Sequence, residues 1–214
     1  MDIIKIIESI AITIASICAI FGINSWRNEM KGRKEYDLAE EVLSLFYEAK
    51  DAINDIRNPF GYVGEGRSRK PANEETQEQK KARDMAYVVF ERYQKNKKVF
   101  NRLNSLRYRF MAVFGKNNEK PFYELKSICD KILQAAHMLG TLWERQTRPL
   151  RTTENTLENI KKYEEVIWWT SESDHISQNV DKLVSEIDDF CKKIIKPKNS
   201  LFSRIINRIK SKIL

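Results

Sequence analysis

Apolar and polar positions divide the chain of 214 residues into one uniformly apolar segment and a series of amphipathic ones. Residues 9–26 contain 18 positions without a charged side chain, and residues 3–7 extend the apolar run. This length is just sufficient to cross a hydrocarbon core of about 30 Å. The alternative is a cleaved signal peptide, but the first four residues carry no basic side chain and the basic cluster follows the apolar run. The pattern therefore predicts a transmembrane anchor over residues 1–27.

After the anchor, apolar side chains recur at spacings of three and four, which is typical of helices with one buried face. This periodicity predicts helices over residues 33–57, 74–114, 120–146, 153–169 and 173–195. Breaks at Asn58-Pro59, Gly115, Lys120-Pro121, Arg148-Pro149 and Lys196-Pro197 separate them. No strand pattern and no internal repeat is present. We expect an all-α fold, with residues 28–197 forming an antiparallel bundle of four to five helices.

The buried faces of the first two soluble helices follow from the same spacing. The face of the helix over residues 33–57 consists of Tyr36, Ala39, Val42, Leu43, Phe46, Ala49, Ile53 and Ile56. The face of the helix over residues 74–114 consists of Met85, Val88, Val89, Arg92, Val99, Phe100, Leu103, Leu106, Phe110 and Val113.

Small residues lie on one face of the predicted anchor helix. Ala11, Ala15 and Ala19 are four positions apart, and Gly22 lies about one turn further on. Small side chains at this spacing let two helix backbones approach closely in lipid. The face is therefore a candidate surface for homo-oligomerisation.

The distribution of charges predicts the orientation of the anchor. Arg27, Lys31, Arg33 and Lys34 follow the apolar run, whereas Lys5 is the only basic residue before it. The positive-inside rule places the soluble part in the cytoplasm and the N-terminus outside. Trp26 stands where an aromatic residue of the membrane interface is expected. Three widely separated cysteines indicate neither a disulfide framework nor a zinc site, which agrees with a reducing compartment.

The last residues of the chain form a second candidate membrane element. Residues 198–214 predict a basic amphipathic helix that contains no acidic residue. Its apolar face carries Leu201, Phe202, Ile205 and Ile209, and its polar face carries Arg204, Arg208 and Lys210. Such a helix typically lies in an anionic membrane surface. Docking of this helix onto the bundle is the alternative.

Residues 58–73 form a long connection between the first two soluble helices. The segment contains three of the seven glycines, together with Arg67, Arg69 and Lys70. Loops of this length in a compact domain are often functional or disordered. The glycines do not match the phosphate-binding pattern GxxxxGK[ST], and no strand precedes them. We expect a mobile, basic loop that contacts a protein partner.

The net charge of +8 points to an anionic partner or surface, either a membrane or nucleic acid. Basic and aromatic residues alternate between Lys95 and Phe110, but the aromatic residues fall at helical spacing and are expected in the core. Nucleic-acid binding is therefore the weaker alternative. No catalytic motif, metal-ligand cluster or cofactor motif is recognised, so the sequence predicts a protein that is not an enzyme.

Several stretches resemble a group of uncharacterised bacterial single-pass membrane proteins. They are residues 22–27 (GINSWR), 39–53 (AEEVLSLFYEAKDAI), 56–61 (IRNPFG), 86–93 (AYVVFERY) and 106–110 (LRYRF). The resemblance covers roughly residues 10–145 and implies a bacterial inner membrane without implying a catalytic residue. The leading hypothesis is a membrane-tethered interaction module. The alternatives are a membrane-perturbing effector that acts by oligomerisation, as in phage defence, and a nucleic-acid-binding accessory protein.

Overall fold

The computed structural model describes residues 3–147, 153–169 and 174–196, and these residues form helices without any strand. The α-helices are α1 (Ile3–Ile56), α2 (Gln77–Phe114), α3 (Lys120–Gln146), α4 (Glu154–Ile167) and α5 (His175–Ile195), and a 3-10 turn (Lys116–Glu119) joins α2 to α3. The predicted all-α class is confirmed for this part of the chain. The predicted C-terminal helix over residues 198–214 lies outside the described residues.

Helix α1 is a single unbroken element of 54 residues, about 80 Å long. Gly32 does not interrupt it, so the apolar segment continues directly into the first soluble helix. The most apolar window has a mean hydropathy of 2.2, and none of it is buried. The helix is therefore long and apolar enough to cross a membrane.

The hydroxyl groups of the apolar half of α1 are bonded within the helix. Thr13 donates a hydrogen bond to the carbonyl of Ser9, and Ser16 donates one to the carbonyl of Ile12, each at 2.8 Å. Since an unpaired hydroxyl group is costly in an apolar medium, these bonds suit a lipid environment.

The second half of α1 packs against α2 and α5, α2 packs against α3, and α3 also contacts α4 and α5. Asn96 of α2 bonds Asp55 of α1, whereas Arg102 of α2 bonds Glu41. The two helices therefore run in opposite directions. Rings of Phe46, Phe110 and Phe122 bring α1, α2 and α3 together, with centroid distances of 5.1 and 5.3 Å.

Local signals fix the ends of the helices. The start of α2 is a capping box in which the Thr76 side chain accepts from the Gln79 amide and the Gln79 side chain accepts from the Thr76 amide. This places the start three residues later than predicted. Gly115 ends α2 with a φ of 93°, and Pro121 lies in the first turn of α3. Asp174 caps α5 by accepting from the Ser177 amide.

The predicted buried faces need two corrections. Tyr36 of α1 and Met85 and Val113 of α2 are exposed, whereas Leu38 and Leu45 of α1 belong to the core. Helix α1 has neighbours on two sides, α2 and α5, so its buried stripe is wider than one amphipathic face.

A buried arginine directly after α1 bonds the end of α4 and the start of α5. Arg57 is 0% exposed, and its guanidinium donates to the carbonyls of Glu165, Val166 and Trp168 at 2.8–3.1 Å. It also contacts both carboxylate oxygens of Asp174, at 3.0 and 3.1 Å. One side chain thereby satisfies the terminal carbonyls of α4 and joins α1 to the first turn of α5.

The Arg57–Asp174 pair also changes both pKa values. Burial lowers the pKa of Arg57, and the carboxylate of Asp174 partly offsets this effect. Burial opposes ionisation of Asp174, but the Ser177 amide and the Arg57 guanidinium outweigh it and hold the pKa of Asp174 below its ordinary value. The lowered pKa of Asp174 favours the charged form of the pair.

We expect Arg57→Met to destabilise the protein by about 3–5 kcal/mol, because it leaves three carbonyls without their donor and the Asp174 carboxylate with its Ser177 donors alone. The matched control is Arg102→Met, since Arg102 also pairs with a carboxylate of α1 but its side chain is 60% exposed. The control should lose less than about 1 kcal/mol. Denaturant unfolding of the full chain in detergent micelles measures both values. Equal losses would contradict the role assigned to Arg57.

Candidate interaction surface at the far end of helix α1

The connection between α1 and α2 is held by buried side chains of α2. Arg92 is 2% exposed and donates to the carbonyls of Asn58 and Phe60, the latter at 2.7 Å. It also binds both carboxylate oxygens of Glu65, at 2.6 and 3.0 Å. The hydrogen bond from Arg92 holds the pKa of Glu65 below its ordinary value, although burial opposes this shift. In place of a loosely held loop, the structure shows a backbone fixed from Asn58 to Glu65.

The following turn of the connection is fixed by Glu91. Its carboxylate accepts from the amides of Gly66 at 2.6 Å and Ser68 at 2.9 Å. Gly66 has a φ of 81°, and a Cβ at this position would lie 2.0 Å from the carbonyl oxygen of Asp84. Only glycine fits here, because the turn lies directly against the backbone of α2.

A network of ion pairs closes the end of the connection. Arg69 binds Glu75 at 2.6 Å and Asp84 at 2.8 Å, and Arg83 binds Glu75 at 2.7 Å. Arg83 also contacts Glu144 of α3. The hydrogen bond from Arg69, which outweighs the opposing effect of burial, lowers the pKa of Glu75 to about 2. These pairs link the connection to α2 and α3.

The three basic residues predicted to contact a partner therefore differ in their surroundings. Arg67 and Lys70 are exposed. The Arg69 side chain is mostly buried and paired with Glu75 and Asp84, so within the fold it stabilises the connection. Contact between this segment and a partner stays a prediction, and Arg67 and Lys70 are the residues available for it.

Apolar side chains project from the same connection. Phe60 and Tyr62 are largely exposed, and Val63 is 101% exposed. The Phe60 ring makes an edge contact with Trp169, with 6.4 Å between the ring centroids. Isolated apolar residues on a surface are ordinary, but exposed apolar side chains at three of four consecutive positions on a fixed backbone are typical of a binding surface.

An open groove of about 700 Å³ runs beside these residues. Its lining includes Tyr62, Val63, Arg67, Lys80, Lys81 and Met85. Two carboxylates also line it, but Glu65 is paired with Arg92 and Asp84 with Arg69. The groove therefore offers an apolar wall together with three exposed cationic side chains. We call Phe60, Tyr62, Val63, Arg67, Lys80 and Lys81 the tip surface.

Sequence reasoning named Arg67 and included Phe60, Tyr62 and Val63 in the loop predicted to contact a partner, but it did not single out these apolar residues and it missed Lys80 and Lys81. A signal was present, since Phe60, Tyr62 and Val63 are apolar residues without helical partners in a segment rich in glycine. Lys80 and Lys81 carried no such signal, because a basic pair near the start of an amphipathic helix is usually a solvated face.

The small residues predicted to form the packing face of the anchor lie on the part of α1 that packs against no other described helix. Ala11, Ala15, Ala19 and Gly22 contact no other described element, and a Cβ added to Gly22 would have open space. Self-association through this face stays a prediction.

The basic residues after the apolar segment are all exposed. They are Arg27, Lys31, Arg33 and Lys34, and Trp26 beside them is also exposed. Lys31 makes only a loose pair with Glu35, at 3.8 Å. Their cationic groups are thus available to lipid headgroups. The residues predicted for the C-terminal helix, Leu201, Phe202, Arg204, Ile205, Arg208, Ile209 and Lys210, lie outside the described residues.

We expect Gly66→Ala to release the connection from α2, because the methyl group would collide with the Asp84 carbonyl. Gly64→Ala is the matched control, since Gly64 also has a positive φ, of 98°, but has open space around it. The control should cost only the strain of the left-handed backbone, about 1–2 kcal/mol. Amide hydrogen exchange at Ser68 should be faster in Gly66→Ala and little changed in Gly64→Ala. Equal protection in both variants would contradict the close approach.

The chain matches no protein-family model, no curated protein and no solved structure.

Proposed function

We propose that this protein is a membrane-anchored, non-catalytic module that presents the tip surface to a protein partner in the cytoplasm. The observation that carries the proposal is the continuity of α1, which joins a bare apolar segment to the core of a packed helical domain. An anchor and a domain that share one helix cannot rotate freely about a flexible linker. The domain, an antiparallel helical bundle in this proposal, is therefore held in one orientation relative to the membrane.

Helix length gives the distance at which the tip surface is held. The part of α1 from Trp26 to Ile56 is about 45 Å long. This is several times the thickness of a headgroup layer, so the tip surface faces the aqueous phase. Such a position favours binding of a soluble partner or of the soluble part of another membrane protein.

The exposed basic residues support an orientation in which the helical domain lies in the cytoplasm. Arg27, Lys31, Arg33 and Lys34 lie within the first turns after the apolar segment and point into solvent. By the positive-inside rule, this end of the segment lies on the cytoplasmic side of a bacterial inner membrane.

The course of α5 supports a second membrane contact. Asp174 at its start meets Arg57, and Asp188 further along accepts from Tyr47. Helix α5 therefore runs back along α1 towards the apolar segment and ends at Ile195 on that side. Residues 198–214 lie outside the described residues, and an anionic leaflet would attract their basic side chains at about 1 kcal/mol per charge.

The chemistry of the tip surface indicates the kind of partner. Exposed apolar groups suit an aliphatic or aromatic anchor residue, and the exposed cations suit carboxylates around it. We therefore expect a partner that carries an apolar residue flanked by acidic residues.

The test is site-specific crosslinking in living cells. A photoreactive amino acid at Val63 should give a defined protein adduct, whereas the same group at Leu157, an exposed apolar residue of α4, should not. Reversal of the groove charges by Lys80→Glu with Lys81→Glu should reduce the adduct by about tenfold, since two contacts are turned into repulsion. The matched control, Lys161→Glu with Lys162→Glu, reverses two exposed charges of α4.

Three results would overturn the proposal. They are the absence of any adduct at Val63, identical adducts at Val63 and Leu157, and an adduct that the two charge reversals affect equally.

A further inference from the structure

A cavity of about 110 Å³ lies between α2 and α3. Its apolar lining consists of four buried and two half-buried residues, which are Leu103, Phe122, Leu125 and Cys129, and Tyr93 and Phe100. The volume is several times the roughly 30 Å³ that a water molecule occupies in the liquid. Protein interiors contain few voids of this size, so the cavity is a distinct feature of the contact between the two helices.

A small residue in the buried face of α3 leaves this space open. Cys129 is flanked on that face by the larger side chains of Leu125, Ile128 and Ile132. On the side of α2, the rings of Tyr93 and Phe100 lie almost parallel, with 5.4 Å between their centroids and 10° between their planes. The two rings therefore pack on each other, and neither fills the space beside the thiol.

The rim of the cavity is polar and carries no net charge. Asn101, Asn104, Lys126 and Asp130 also line the cavity and are exposed, so it opens to solvent. Lys126 binds Asp130 at 2.6 Å, and the two charges cancel. A charged ligand would lose its hydration without gaining a free counter-ion, which favours a neutral ligand.

Hydrogen-bonding groups at the cavity lack partners within the fold. Among the residues that the structure describes, the Tyr93 hydroxyl and the side-chain amides of Asn101 and Asn104 bond no other group. Burial raises the pKa of Tyr93, and Cys129 and Asp130 act in the same direction, so the hydroxyl remains a donor. A ligand with an oxygen acceptor can therefore form a hydrogen bond here that the protein itself does not form.

We propose that this cavity is a binding site for a small neutral molecule with one aromatic ring and a hydroxyl or carbonyl oxygen. The ring contacts Phe100, Leu125 and Cys129, and the oxygen accepts a hydrogen bond from Tyr93. One ring fits the volume, since an apolar cavity of about 150 Å³ binds benzene. The aromatic residues of the lining favour an aromatic ligand over an aliphatic one of equal area.

Binding at this site stabilises the packed domain and is independent of the tip surface. Phe122 lines the cavity and also makes an edge contact with Phe46 of α1, at 5.1 Å between the ring centroids. A ligand that occupies the cavity only when α2 and α3 are packed therefore stabilises the contact between α3 and α1.

The first test is the rate at which Cys129 reacts with methyl methanethiosulfonate, in the full chain with Cys18→Ser in lipid nanodiscs. The thiolate attacks the reagent, a methyl disulfide forms and methanesulfinate leaves. Cys191 is the internal control, because it is also buried and burial raises the pKa of both thiols to about 12, but it does not line the cavity. Cys129 should react at least about tenfold faster, since the two thiols differ in access and not in acidity.

Phenol is the probe ligand for the second test. At ten times its Kd it should slow the reaction of Cys129 by about tenfold and leave that of Cys191 unchanged, since about one site in eleven stays empty. Tyr93→Phe should weaken the binding of phenol by about threefold to tenfold and leave that of toluene unchanged, because only phenol loses a hydrogen bond. Benzoate, which is charged, should give no protection at the same concentration.

A variant that fills the cavity locates the site. Cys129→Leu adds carbon atoms beside the empty space and should abolish the saturation-transfer NMR signal of phenol. The control variant, Cys191→Ala, removes the other buried thiol and should keep the signal. The midpoint of thermal unfolding should not be lower for Cys129→Leu than for Cys191→Ala, because the added atoms enter free space.

Three results would overturn the proposal. Equal reaction rates of Cys129 and Cys191 would show that the cavity is closed in solution. Binding of phenol that persists in Cys129→Leu would place phenol elsewhere on the protein. Equal protection by phenol and toluene, without any effect of Tyr93→Phe, would show that the site does not select an oxygen-bearing ring.

Discussion

The rest of the structure depends on one constraint, which is that α1 contains both an apolar segment long enough to cross a membrane and the first core helix of the packed domain, in one unbroken element. In hydrocarbon a chain must satisfy every backbone donor and acceptor internally, and a helix achieves this. Because the same hydrogen-bond ladder continues through Gly32 into the core, the position of the packed domain is set by the direction in which α1 leaves its apolar segment. Every other element, from the tip surface to the corner between α2 and α3, lies at a distance from the apolar segment that is set by the part of α1 beside it.

Two buried arginines hold the other elements against the end of α1. Arg57 forms hydrogen bonds with the end of α4 and the start of α5, and Arg92 forms them with the connection that follows α1. Burying a guanidinium costs considerable free energy unless its donors are satisfied, so such residues specify one arrangement rather than adding much net stability. The result is a fixed backbone beneath the exposed residues Phe60, Tyr62 and Val63. A rigid platform lowers the entropic cost of binding, which supports an interaction role for this end of the molecule.

Much of the fold could be predicted from the sequence, because the helix signals are local. Pro121, Gly115 and the break at Asn58-Pro59 gave helix ends close to those observed, and the periodicity correctly placed Arg92 on a buried face. Its role could not be predicted, since Glu65 and the carbonyls it binds lie 27 to 37 residues away. The same holds for Arg57, whose partners are separated by 108 to 120 residues. The exposure of Met85 and Val113 could not be predicted either, since both fall at the helical spacing of the buried face.

The central claim, that anchor and domain share one rigid helix, is tested most directly by a distance across Gly32, between the end of the apolar segment and the packed domain. Spin labels on Asn28→Cys and Glu48→Cys, both exposed, would be placed in the full chain reconstituted in lipid nanodiscs, with Cys18 replaced by serine. An unbroken helix predicts a narrow distance distribution centred at about 30 Å between the backbone positions. A broad distribution, or one centred well below this distance, would show a bend or hinge near Gly32 and contradict the account.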